Sequence, residues 1–144
     1  MTAGRLLAAY RRTEYEADGA VARVGRRGAS VDALLRRLGA RQGAFVTAWN
    51  PWSRRMPAGW NARMMARLRE AARRLPSAEG EGTGRGWSER HLLLAADPRR
   101  AAVLARRFRQ SAVVVARIGA PARLALLRPR QDEQPPERQQ HRAV

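Results

Sequence analysis

Apolar and polar positions alternate along this chain with two distinct periods, and the switches between them mark the expected elements. Residues 4–12 place Leu6, Leu7 and Tyr10 at helical spacing, a short amphipathic helix. TEYEADGAVARV then alternates around Asp18-Gly19, the signature of a two-residue type I′ hairpin, because both turn positions require positive φ. That turn sets Glu14 opposite Arg23 and Tyr15 opposite Ala22, with Tyr15 and Val24 facing the core. Ser30 reads as the cap of a helix to about Leu38, with Leu34, Leu35 and Leu38 as its buried stripe and Gly39 ending it. Residues 44–49 (AFVTAW) form an apolar run of strand length. After the polar stretch NPWSRRMPAGW, Asn61 reads as the cap of the longest helix, about 62–75.

Residues 76–86 (PSAEGEGTGRG) read as a Gly-rich loop, and 90–96 (RHLLLAA) as a second buried strand. Asp97-Pro98 is a capping residue followed by proline at the first helical position, opening a helix over about 98–108. Residues 112–118 (AVVVARI) form a third apolar strand, and 122–127 (ARLALL) return antiparallel to it. The expected fold is a single α+β domain over residues 1–128, a mixed, partly parallel sheet of βαβ units packed by helices. If residues 78–84 form an extra strand, the core becomes a ferredoxin-like βαββαβ, the alternative. Residues 129–144 lack an apolar pattern and read as a disordered tail containing His141.

Composition adds the absence of cysteine, which removes disulfides and thiolate metal sites. No apolar run approaches the roughly 20 residues of a membrane span, so no membrane partner and a cytoplasmic location are expected. The net charge is +17, and all 29 basic residues are arginine. Such charge points to a polyanion, but GC-rich codons alone favour arginine, alanine and glycine. The arginines also run the length of the chain instead of clustering. Residues 98–130 are the most basic stretch, containing no acid, and Arg67, Arg74, Arg99, Arg100, Arg106 and Arg107 are the candidate polyanion contacts. Trp49, Trp52, Trp60 and Trp87 are candidates for base stacking. No helix-turn-helix or RNA-binding signature accompanies them.

Four blocks carry a family resemblance: FVTAWNPWS (45–53), Asn61 with Arg63 at the start of the long helix, WSERHLLLA (87–95) and RRFRQSAVVV (106–115). They resemble a bacterial family catalogued as domain of unknown function 3293, over most of residues 10–127. Where that pattern has a glycine between Phe and Gln, this chain has Arg109. The resemblance implies a bacterial protein and supplies no mechanism.

Asn50 and Ser53 directly follow a buried strand, and in βαβ sheets ligands bind beyond the carboxyl ends of parallel strands. With strands 44–49 and 90–96 parallel, this loop, the Asp97 turn and the helix start at Asn61 share one edge. There Asn50, Ser53, Asn61 and Arg63, with Arg54 and Arg55, are the candidate contacts for an anionic or nucleotide-like ligand. The bland alternative is a locally satisfied turn and cap. Glu89 is the candidate acid or base, sharing a strand face with His91. Neither a cofactor nor a metal is indicated, because the Gly-rich segment lacks a P-loop lysine and potential ligands do not cluster. The leading reading is a binding module for nucleic acid or a nucleotide. Its alternatives are a small enzyme using Glu89 at the Asn50–Ser53 edge and a subunit binding an acidic protein.

Overall fold

A computed structural model describes residues 3–127; the tail expected over 129–144 lies outside the described residues. Helix α1 (Ala3–Arg12) precedes the hairpin β1 (Glu14–Ala17) and β2 (Ala20–Ala22). Asp18 and Gly19 take φ of 46° and 81° at its turn, Tyr15 pairs with Ala22, and Arg23 forms an ion pair with Glu14. Then follow α2 (Ala29–Arg37), β3 (Gln42–Val46), α3 (Ala58–Ala71), β4 (Ser77–Gly84), β5 (Trp87–Leu94), α4 (Pro98–Arg107), β6 (Ala112–Arg117) and β7 (Arg123–Leu126). Asp97 caps α4 as expected, its side chain accepting from the Arg99 N–H. Ser30 does not cap α2; Gly28 occupies that position, and the Ser30 hydroxyl is bonded to the backbone of Val21.

The seven strands form one sheet in the order β2-β1-β4-β5-β3-β6-β7, and every strand pair is antiparallel. The expected mixed, partly parallel sheet is therefore wrong, for a physical reason. The stretch expected to be a Gly-rich loop is strand β4, so α3 leads to β4 and a hairpin brings β5 back beside β3 in the opposite direction. The extra strand of the alternative reading is thus present, and β3 to β6 follow the order βαββαβ.

Glycines alternate along β4 at 80, 82 and 84, and the residues on their face are the buried ones. Gly80 is needed where β1 crosses closely: a Cβ there would stand 1.9 Å from the Glu16 carbonyl oxygen. A glycine can therefore mark a tight strand crossing as well as a loop.

Both faces of the sheet are covered. Ala44 and Val46 of β3, Leu92 and Leu94 of β5, and Val113 and Val115 of β6 pack under Met65 and Leu68 of α3 and Ala101 and Leu104 of α4. The alternate residues Phe45, Leu93, Val114 and Ala116 face Val31, Leu34 and Leu35 of α2. Continuous apolar strand sequences follow from this double covering and carry no information on strand direction.

The sheet curls into a half-barrel around α2. Its two edges meet where the Gly25 N–H donates to the Ala122 carbonyl (2.7 Å) and the Ala122 N–H to that of Arg26 (3.0 Å). A single parallel bridge, Val24 to Ala122, joins them. At the start of β3, Leu35 of α2 lies against Gly43. The opposite end of the concave face, where β3 finishes and β5 and β6 begin, holds the site.

Candidate functional site

The open end of the curl is a cavity of about 650 Å³. Tyr15 of β1, Gly82 of β4, Phe45 of β3, Glu89 and His91 of β5 and Val114 of β6 line it, with Ala9 and Tyr10 of α1 along one side. Tyr15, Phe45 and His91 make an aromatic wall: His91 stacks on Tyr15 (centroids 6.1 Å, 19°) and meets Phe45 edge-on (5.0 Å, 61°). Strand period puts Glu89 on the same side as His91, two residues apart on β5.

His91 is 4% exposed. Its Nε2 lies 2.5 Å from the Glu16 carbonyl, which can only accept, so Nε2 carries the proton and Nδ1 is an acceptor. Nδ1 is 3.7 Å from where a Cβ on Gly82 would stand, so the glycine leaves that side of the ring uncovered. Burial lowers the His91 pKa to about 4, outweighing the bond to Glu16, and the ring is neutral at pH 7.

Glu89 carries the opposite perturbation. Burial raises its pKa above the usual carboxylate range, partly opposed by the Asn50 amide, whose Nδ2 donates to Oε1 at 2.8 Å. Burial, then the nearby Glu89 charge, raises the Tyr10 hydroxyl to about 12.

Asn50 is the centre of a small polar network. Its Oδ1 accepts from the Met56 N–H (2.9 Å) and from Asn61 Nδ2 (3.0 Å), while its own N–H donates to Asn61 Oδ1 (3.0 Å). Asn61 is 3% exposed. It is not the helix cap: α3 begins at Ala58 after Pro57, and the Asn61 N–H already bonds the Pro57 carbonyl. Lying inside the helix, with no capping role, its side-chain amide is free to hold the loop.

The 3-10 turn Pro51–Ser53 is bound on its other side by Gln110, whose Nε2 donates to the Trp49 carbonyl (3.0 Å), and by the Trp52 N–H donating to the Arg109 carbonyl (2.8 Å). Asn50, Trp52, Ser53 and Arg109 all take positive φ, 48° to 60°. Arg109 therefore keeps the tight turn at the position where the resembled pattern has glycine.

The structure thus unites Asn50, Asn61 and Glu89 and places Ser53 on the cavity lining. It does not bring in Arg63, which is exposed on α3, and among the described residues Arg55 is the one arginine along the cavity. The shared edge with Asp97 is also wrong: β3 and β5 are antiparallel, so the end of β3 lies beside the start of β5, where Thr47 Oγ1 donates to the Arg90 carbonyl (2.6 Å). Asp97 is at the far end. Arg67 and Arg74 on and just after α3, and Arg99, Arg100, Arg106 and Arg107 on α4, belong to the layer on the other side of the sheet. Arg99 is paired with Asp97.

Sequence reading missed Tyr10, Phe45 and Gln110 as site residues, because nothing local distinguishes them from core or helix-end residues. Glu89 and His91 are the metal-binding side-chain types in the cavity. Among the described residues no three His, Cys, Asp or Glu side chains come together, so that donor set stops at two.

Residues 46–113 match the family model described as Protein of unknown function (DUF3293). This is the family that its sequence blocks resemble, and the match is shorter than the expected residues 10–127. No curated protein and no solved structure matches the chain. No helix among the described residues is long and apolar enough to cross a membrane.

Proposed function

We propose that this protein binds a small organic molecule in the concave cavity, with Glu89 as its polar anchor. The observation that carries this reading is a half-buried carboxyl group with a raised pKa, oriented by Asn50 and opening onto an aromatic-walled space of about 650 Å³. Concave, largely apolar sites with a few fixed polar groups are the usual form of small-ligand pockets, and perturbed titratable groups gather there. A ligand donor would meet Glu89 and the Nδ1 acceptor of His91, and its ring would lie along Tyr15 and Phe45. Among the described residues Arg55 is the sole arginine on the cavity lining, so the cavity itself offers little charge to an anionic partner.

A thermal-shift screen of polar aromatic compounds tests this. A ligand at 100 times its Kd adds about 2.7 kcal/mol of stability, a rise of roughly 5–10 °C for a chain this size. Glu89→Gln and Gly82→Leu, the second of which fills the cavity, should each abolish the rise while remaining folded. Hits that stabilise both variants as much as the wild type would refute the site.

A second reading, acid–base catalysis, is favoured by one observation: a readily protonated Glu89 and a neutral His91 line the same cavity from one strand face. Conversion of a bound compound by the wild type, with Glu89→Gln binding it unchanged but not converting it, would support this. Equal turnover by both would exclude it.

A further inference from the structure

A second surface borders the cavity where the 50–53 turn meets the C-terminal end of α4; Trp52, Arg54, Arg106, Arg107 and Arg109 there are not among the residues that line the cavity. The Trp52 N–H to Arg109 carbonyl bond (2.8 Å) and the two bonds from Gln110 Nε2 to the carbonyls of Trp49 (3.0 Å) and Phe108 (3.1 Å) stitch these segments together. Trp52, at φ 53°, is 37% exposed. A bulky residue in the left-handed region costs about 1–2 kcal/mol, and here more than a third of its surface stays open to solvent. Arg54 follows two residues on, Arg109 is the residue whose carbonyl the Trp52 N–H bonds, and Arg106 and Arg107 precede it at the end of α4. Among the described residues none of these four arginines has an ion-pair partner. No acidic residue occurs between 98 and 130.

We propose that this surface binds single-stranded nucleic acid, Trp52 stacking on an unpaired base while Arg54, Arg106, Arg107 and Arg109 neutralise the adjacent phosphates. An exposed aromatic ring among arginines offers a stacking platform within a positive field, which suits splayed bases irrespective of sequence. Duplex DNA keeps its bases stacked inside and would gain only the charge term.

The test is fluorescence anisotropy of the full chain with labelled oligothymidine, its duplex and polyglutamate across a salt series. Trp52→Gly removes the ring while relieving the positive φ; with circular dichroism confirming that it stays folded, it should weaken oligothymidine binding roughly ten-fold or more, the scale of one lost stacking contact. The pair Arg106→Ala/Arg107→Ala should flatten the dependence of log affinity on log salt by about 0.7 per arginine. The pair Arg67→Ala/Arg74→Ala removes the same charge elsewhere and should leave that slope unchanged.

Glu89→Gln should bind oligothymidine like the wild type, which separates this surface from the cavity. Undiminished binding by Trp52→Gly, equal effects of the two arginine pairs, or binding of polyglutamate as tight as oligothymidine would each overturn the proposal, as would no binding at low salt.

Discussion

Acid should destabilise this protein through one side chain more than any other. His91 has a pKa of about 4 in the fold against an ordinary 6.5, with burial as the main cause. The unfolded chain therefore takes up a proton between pH 6.5 and 4 that the folded chain refuses. Where the unfolded state binds more protons, stability rises with pH. The stabilisation is fully present above pH 6.5 and is lost as the pH falls toward 4. At 1.36 kcal/mol per pH unit over this window, the loss is about 3 kcal/mol, a large part of the 5–15 kcal/mol typical of a domain.

Urea unfolding followed by tryptophan fluorescence at several pH values reads this directly. His91→Phe preserves an aromatic ring against Tyr15 and Phe45 but does not titrate, so its stability should fall less steeply over the same window. Its lost bond to Glu16 lowers stability at every pH and leaves the slope difference intact. The reasoning is refuted if wild type and His91→Phe show parallel pH profiles, or if histidine resonances in NMR show none titrating near pH 4.

Two backbone positions give sharper tests of the fold. Arg109→Gly should stabilise by about 0.5–1 kcal/mol in chemical denaturation, because glycine adopts the observed φ of 54° without the side-chain clash, less its greater entropy when unfolded. Gly80→Ala should destabilise by roughly 3 kcal/mol or more, since its Cβ would meet backbone atoms of Glu16 and Ala17 at 1.9–2.7 Å and part β1 from β4. A neutral Gly80→Ala would contradict the β1–β4 register.

Local chemistry was legible in the sequence wherever one residue type does one job. Asp18-Gly19 announces its hairpin, and Asp97-Pro98 announces α4, because φ and capping are decided within a few residues. Strand direction was not legible. It depends on β4, whose glycines read as a loop until their shared face is set against β1. Asn61 misled in a related way, since a capping residue type also serves as an amide crosslink once Pro57 starts the helix earlier. Asn50 and Glu89 were recognisable as candidates. Their meeting, 39 residues apart, rests on the antiparallel pairing of β3 with β5 and could not be read locally.

The central claim is that the cavity beside Glu89 is where this protein meets its ligand. Amide ¹H–¹⁵N spectra recorded during titration with a compound that raises Tm test it most directly. Shifts concentrated at Thr13, Gly82, Ser88, Glu89 and His91, and absent from Glu89→Gln at the same concentration, are the predicted result. Shifts confined to α3 and α4 on the other face of the sheet, with the cavity amides unmoved, would contradict it.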